Sequence, residues 1–319
     1  MIVTVTLNTA MDRTLLVPNF QLGHRHRASV ALSSAGGKGV NVARALRHLG
    51  VPVVCTGFLG GRNGGQIADL LTDEGILNDF VRIEGESRTS VALLDPISDQ
   101  YTEINEWGPE VSEAELDALR EKLAYLTQGA EFVVFAGSLP RGVDPAFYGE
   151  LVRDLAKQQI LAVLDTEGEP LRLGVAAEPF LVSPNLREAE ALVGHEFVDD
   201  DDLAHGLQEI AELGARNVLV SVETGLYALL RDDREEHRVR GLAPRLAVVS
   251  TIGAGDTLLA GFLAARVAGK DVEESVRAAV AAGAASVLEP GPGRFDPRAI
   301  GRVSSLVKVE RLAPVAQDA

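Results

Sequence analysis

The stretch "TIGAGDTLLAGF" at 251–262 sets one carboxylate, Asp256, directly behind a Gly-Ala-Gly turn and directly before an apolar run. Leu258, Leu259, Phe262, Leu263 and Val267 follow at helical spacing, which predicts a helix with one buried face, beginning at or just before the aspartate. The turn then lies at a helix N-terminus. There the backbone N–H groups of Gly253, Ala254 and Gly255 are expected to lack intrahelical partners, and glycines carry no side chain to keep an anion away. Taken alone, the aspartate could be an ordinary helix cap. A base beside an anion cradle is also what phosphoryl transfer to a hydroxyl needs. The carboxylate orients or deprotonates the alcohol while the amides hold charge on the moving group.

A second glycine-rich stretch, "SAGGKGVNVARALRHLG" at 34–50, also runs from turn into helix, with Lys38 inside the turn and Asn41 in the first helical turn. A cation there can meet an anionic or hydroxylated ligand. The stretch is neither the GxxxxGK[ST] phosphate loop nor the GxGxxG dinucleotide fingerprint.

Elements that could position these two turns are visible along the chain. Apolar, β-branched runs ("IVTVTL", "VPVVCTGFLG", "EFVVFAG", "LAVLD", "FLVSP", "NVLVSV") alternate with helix-like segments, which predicts an α/β fold with a mostly parallel sheet covered on both faces. "GVNVARALRHLG" ends on Gly50, Ser112 and Glu115 are spaced as a capping box, and "LREAEALVG" closes on Gly194. Residues 13–33 and 84–107 break the pattern with short alternating strands and turn residues. They are expected to pair into a small β-sheet lid inserted in a core made of 1–12, 34–83 and 108–319. The acidic run "DDDD" at 199–202 and "HRHR" at 24–27 read as solvated loops, and the tail from about Arg311 as loose.

Bulk composition narrows the partners. The 319 residues are 46% hydrophobic and carry a formal charge of −16, which argues against nucleic acid and anionic membrane surfaces as partners. A small anion remains possible, because a few cations focused in one cleft can outweigh a negative exterior. The one cysteine, Cys55, lies in an apolar run and reads as core packing. No apolar stretch approaches ~20 residues and the N-terminus alternates like a strand, so a cytoplasmic location is expected.

Together, "GGKGVNVARAL" and "TIGAGDTLLAGF" resemble the two signature regions of the PfkB/ribokinase family of carbohydrate kinases. The resemblance runs over nearly the whole chain through "TLNTAMDRT", "GFLGG", "SRTSV", "TEINEWGP", "FAGSLPRGV", "SPNLREAEALVG" and "AVAAGAAS". The lysine of GGKG, "RTSV" and "TEINEWGP" look like the 1-phosphofructokinase and tagatose-6-phosphate kinase branch. The resemblance implies a ribokinase-like three-layer αβα sandwich and ATP- and Mg²⁺-dependent phosphorylation of a ketohexose monophosphate, fructose 1-phosphate first and tagatose 6-phosphate as the rival. Asp256 then matches the catalytic base, and Gly253, Ala254 and Gly255 the anion hole. Asp12, Gly36, Gly37 and Asn41 match sugar-binding positions, while Lys38, Arg88 and Ser138 match positions near the phosphate already on the sugar. Asn185 and Glu188 match the element that organises Mg²⁺, through water, with the ATP phosphates. Ser221, Thr251 and Gly283 fall near the nucleotide. Glu223 stands in "SVETGLYALL" where relatives carry glycine, which is the one feature favouring a non-catalytic sugar-phosphate sensor. The lid's open sheet edges suggest a homodimer formed through the lid.

Overall fold

A computed structural model describes residues 1–98, 100–232, 235–289 and 291–312. Its large sheet runs, from one edge, through Lys308–Arg311, Glu236–Leu242, Gly225–Arg231, Val218–Val222, Leu181–Val182, Leu161–Asp165, Phe132–Ala136, Ile2–Thr6, Val53–Gly60 and Leu77–Asn78, with Val81–Ile83 also paired to Val53–Gly60. Every neighbouring pair from Val218–Val222 to Leu77–Asn78 is parallel. The three strands beyond Val218–Val222 are antiparallel.

The apolar runs become central strands because both their faces are buried. In Phe132–Ala136, the side chains of Phe132, Val134 and Ala136 enter one apolar cluster, and those of Val133 and Phe135 enter the other. The first cluster lies under the helices Lys38–His48, Ala254–Val267 and Val272–Ser286, the second under Glu113–Leu126, Phe147–Lys157 and Asp200–Glu212. This is the ribokinase-like layering of helices, sheet and helices. Cys55 belongs to the first cluster, fully buried, and burial pushes its thiol up to about 12.

Helix ends follow the local chemistry. Glu115 accepts from the Ser112 N–H at 2.7 Å in a capping box, and Gly194 closes Leu186–Val193 in the left-handed conformation. The acidic run at 199–202 is not a solvated loop. Asp199 caps the helix Asp200–Glu212 by accepting from the Asp201 and Asp202 N–H groups, and the next three acids sit in the first turn, where the helix dipole favours negative charge. The segment holding "HRHR" lies between two lid strands outside helix and strand. Of the tail beyond Arg311, residues 313–319 lie outside the described residues.

A separate four-stranded sheet has the order Val30–Gly36, Ala10–Leu16, Arg88–Asp95, Gln100–Asn105. Its outer pairs are antiparallel and its central pair is parallel. The strands reach three residues further inward than 13 and 33, to Ala10 and Gly36. The small sheet is thus rooted at one end in the strand Ile2–Thr6 and at the other in the glycine turn before Lys38.

Candidate active site

Between the two sheets lies a cavity of about 360 Å³, at the carboxyl ends of the parallel strands, where open α/β sheets bind ligands. Asp256 lies at its floor, 6% exposed, in the first turn of Ala254–Val267. Asn41 Nδ2 donates to Asp256 Oδ2 at 2.8 Å. Burial, then the negative charge of Asp165, push the Asp256 carboxyl up to about 7, against the opposing pull of Lys38 and the Asn41 bond.

The glycine turn before it caps the helix Ala254–Val267. Gly253 is the helix N-cap at φ 72°, ψ 12°. The Ala254 N–H closes a turn onto Thr251 O at 3.2 Å, so that amide is already engaged. The amides of Gly253, Gly255 and Asp256 have no backbone partner among the described residues. Gly283 is not on the cavity wall. It lies behind the cradle, where an added Cβ would come within 3.2 Å of Ala254 O and Leu258 Cβ, so its small size lets two helices approach.

Lys38 opens the helix Lys38–His48, and its ammonium bonds Asp165 Oδ1 at 2.8 Å and Glu188 Oε1 at 3.3 Å. Burial opposes its charge, but Asp165, Glu188 and Asp256 outweigh it and hold the amine protonated well above its ordinary range. Gly36 has its neighbour at hand in Asp12: a Cβ there would meet the Asp12 carboxylate at 2.1 Å, so only glycine admits that side chain. Burial raises the Asp12 carboxyl to about 6, with Arg88 and Arg44 pulling it down. Arg88 donates from Nε to Asn8 O at 3.1 Å and from Nη1 to Glu106 O at 3.4 Å, which aims the guanidinium from the lid into the cavity. It pairs with neither Glu84 nor Glu86; Glu86 instead accepts from the Arg62 and Asn63 N–H groups.

Asn185 and Glu188 form a reciprocal capping box, with Glu188 N–H donating to Asn185 Oδ1 at 3.0 Å and Asn185 N–H to Glu188 Oε2 at 2.9 Å. Both nevertheless line the cavity, as do Ser221 and Thr251. Among the described residues no group of three or more His, Cys, Asp or Glu side chains could hold a metal ion by itself. Glu188 and Asp165 are the carboxylates that face the cavity on this side. Ser138 is off the wall and accepts from Asn8 Nδ2 at 3.2 Å, next to the backbone that anchors Arg88. Glu223 is exposed in the two-residue turn between Val218–Val222 and Gly225–Arg231 and does not line the cavity.

Asp165 lines the wall from outside the family motifs, and Ser90 of "RTSV" with Glu103 and Asn105 of "TEINEWGP" line it too, although the motifs gave them no individual role. The lid three share one face with Asp12 and Arg88 through the register, Asp12 opposite Ser90 and Ser90 opposite Asn105. Their signal in the sequence is the alternation in "RTS" and "TEIN"; that of Asp165 is a lone charge closing an apolar strand.

The model of the pfkB family carbohydrate kinases matches residues 3–299. A 1-phosphofructokinase from Rhodobacter capsulatus is 35% identical over 315 residues, 98% of this chain and 99% of the relative. A tagatose-6-phosphate kinase from Staphylococcus epidermidis is 30% identical over 93% of this chain and 95% of its own length. The crystal structure of phosphofructokinase-2 from Escherichia coli in complex with fructose-6-phosphate superposes with a TM-score of 0.86 at 29% identity, covering 96% of this chain and 98% of that one. With both signature turns meeting at one cavity and the family match spanning the chain, this protein belongs to the pfkB family of carbohydrate kinases, phosphotransferases with a sugar alcohol as acceptor.

Proposed function

We propose that this kinase transfers the γ-phosphoryl group of ATP to the 6-hydroxyl of fructose 1-phosphate, giving fructose 1,6-bisphosphate and ADP. One observation carries the proposal: a buried carboxylate beside a glycine-turn helix N-terminus and a lid arginine line the same cavity. Such a cavity suits a substrate with a hydroxyl at one end and a phosphate at the other. Asp256 takes the proton of the acceptor hydroxyl as its oxygen bonds to the γ-phosphorus and the bond to the β–γ bridging oxygen breaks. The free amides of Gly253 and Gly255 hold charge on the transferring group. Asp12 and Asn41 orient the sugar, and Arg88 grips its phosphate. Lys38, held between Asp165 and Glu188, keeps these carboxylates from repelling the incoming phosphates. Mg²⁺ bound with ATP would offset phosphate charge on the side of Asn185 and Glu188.

Tagatose 6-phosphate presents the same two ends in the opposite order, and a relative with that specificity is 30% identical. ADP release from Mg·ATP, compared for fructose 1-phosphate, tagatose 6-phosphate, fructose 6-phosphate and fructose, separates the two. The highest kcat/KM is expected for fructose 1-phosphate; a preference for tagatose 6-phosphate would reassign the branch. Turnover of none, with one of them still raising Tm, would make the protein a sensor, although Glu223 turned to solvent gives that outcome no support. A charge-assisted contact is worth ~1.5–3 kcal/mol, so Arg88→Ala should raise KM for the phosphorylated acceptor by about 10- to 100-fold and leave kcat less changed. An unchanged KM would remove Arg88 from phosphate binding.

The lid sheet also bears on assembly. Its edge strands expose Leu32 at 53% and Ile104 at 59%, apolar groups beside unpaired strand edges. The register puts Leu32 on the face of Asp12 and Ile104 on the opposite face, so two lids packed through the Ile104 edge would cover that side chain. Light scattering is expected to give a dimer, and Ile104→Asp to shift it to monomer; a monomeric wild type would exclude the arrangement. Among the described residues no helix is long and apolar enough to cross a membrane, which is compatible with a cytoplasmic enzyme.

A further inference from the structure

Arg44 stands three residues after Asn41 on the helix Lys38–His48 and is 2% exposed. All of its guanidinium nitrogens are engaged. Nε donates to Glu74 Oε2 at 2.5 Å, and Nη2 to Ala35 O at 2.7 Å and Glu74 Oε1 at 3.4 Å. Nη1 donates to Asn41 Oδ1 and to Pro292 O, each at 3.1 Å. Burying a charge is costly even when it is paired, and an apolar side chain of similar volume would fill the same space, so stability alone does not call for a guanidinium here. What the fork alone supplies is a joint between three pieces of the site: the root of the lid at Ala35, the loop that backs the Gly253 turn at Pro292, and the amide of Asn41.

The last of these contacts has a direct chemical consequence. An arginine can only donate, so its bond requires the carbonyl oxygen of the Asn41 amide on its own side. The Nδ2 hydrogens are thereby turned toward Asp256, where one is donated at 2.8 Å. Were the amide to rotate, its oxygen would face the carboxylate, and the contact would hold only if Asp256 carried a proton. We propose that Arg44 is a positioning residue that fixes the Asn41 amide so that it stabilises the ionised form of Asp256, and that it ties this orientation to the lid root and to the loop behind the anion cradle. The proposal rests on Asp256 acting as the base, and deepens that role by naming what orients the hydrogen bond that favours its ionised form.

The test reads the ionisation of Asp256 in two ways. Its carboxylate is bonded by Asn41 from the helix Lys38–His48, and feels the charges of Lys38 on the same helix, of Asp165 from the strand Leu161–Asp165 and of Glu188 from the helix Leu186–Val193. Arg44 is itself a nearby cation and also lowers the carboxyl of Asp12. Removing it therefore changes both charge and amide orientation, and a cycle with Asn41→Ala separates them. In full-length protein with ¹³C-labelled aspartate carboxyls, the signal that Asp256→Asn deletes is titrated in wild type and in Arg44→Met, alongside the acid limb of kcat/KM for fructose 1-phosphate. The expected result is an upward shift of about one pH unit in both, a loss of about tenfold in ionised base at a pH below the limb. Arg44→Lys, which keeps a donor for Asn41 Oδ1, should recover part of it. In the Asn41→Ala background Arg44→Met should add little. An unshifted titration in folded Arg44→Met, or a shift of the same size in the Asn41→Ala background, overturns the proposal. Where Arg44→Met fails to fold, Arg44→Met/Glu74→Gln removes the carboxylate that would keep only its contact with Arg294 among the described residues, and is read against the same two outcomes. Because the carboxyl titration needs no turnover, a protein inactive on every acceptor would count against the kinase assignment and not against the role of Arg44.

Discussion

Asp256→Asn is expected to lower kcat by at least ~10²-fold while making the folded protein more stable above neutral pH. The loss of rate follows from replacing the side chain proposed to accept the hydroxyl proton with one that cannot. The amide keeps nearly the volume of the carboxylate and can still accept from Asn41 Nδ2, so the fold and the substrate KM should change little. The gain in stability follows from burial. In the folded protein burial and the charge of Asp165 push the carboxyl up to about 7, from an ordinary value of ~3.9. Between these values the unfolded chain is already ionised while the folded one still holds its proton. The wild-type group therefore stabilises fully below pH ~4 and loses that contribution as pH rises through ~7. Asn does not titrate, so the variant's advantage grows over this window, to the order of a few kcal/mol above pH 8. Tm compared at pH 4 and pH 8, with ADP release at pH 8, checks both halves. Turnover near wild type would remove Asp256 from the chemistry, and a Tm difference independent of pH would show that its ionisation is not costly in the fold.

The parts of this architecture visible in the sequence are those in which local composition and tertiary role agree. "EFVVFAG" and "LAVLD" are apolar on both faces and become central parallel strands; "LREAEALVG" carries its cap and its terminating glycine. Charges were harder to place, because their environment is assembled from distant segments. The run at 199–202 looks like any solvated acidic stretch until a helix is known to begin there. Arg44 looks like a solvated position in "ARALRH", yet one of its partners, Pro292, lies 248 residues away. Lys38 meets Asp165 across 127 residues, which is why a lysine whose motif suggested a sugar phosphate is found between two carboxylates. Ser90, Glu103 and Asn105 reach the cavity only through the register of the lid strands, and no single strand reveals which of its faces will be covered.

The anion cradle yields the second large effect, because its two glycines are required for different reasons. Gly253 sits at φ 72°, and a Cβ added there would come within 2.6 Å of Pro292 Cβ and 2.9 Å of Pro292 Cα. Neither obstacle is the end of a flexible side chain. The left-handed conformation alone costs a residue with a Cβ about 1–2 kcal/mol. Pro292 cannot retreat freely either, since its carbonyl is held by Arg44. Gly253→Ala should therefore move the turn itself, and donors displaced by about 1 Å from the transferring phosphoryl group should lower kcat by about 10²-fold or more. Gly255 has no such constraint: its added Cβ would find only Ser221 Oγ, at 4.0 Å. A methyl there projects into the cavity without shifting the backbone, so Gly255→Ala should act mainly on the KM for ATP and keep kcat within about tenfold. The two variants differ by the same single methyl and sit two residues apart. If both lose turnover equally, crowding of the nucleotide explains them together; if Gly253→Ala alone collapses kcat, the position of the backbone amides is what the turn exists to hold.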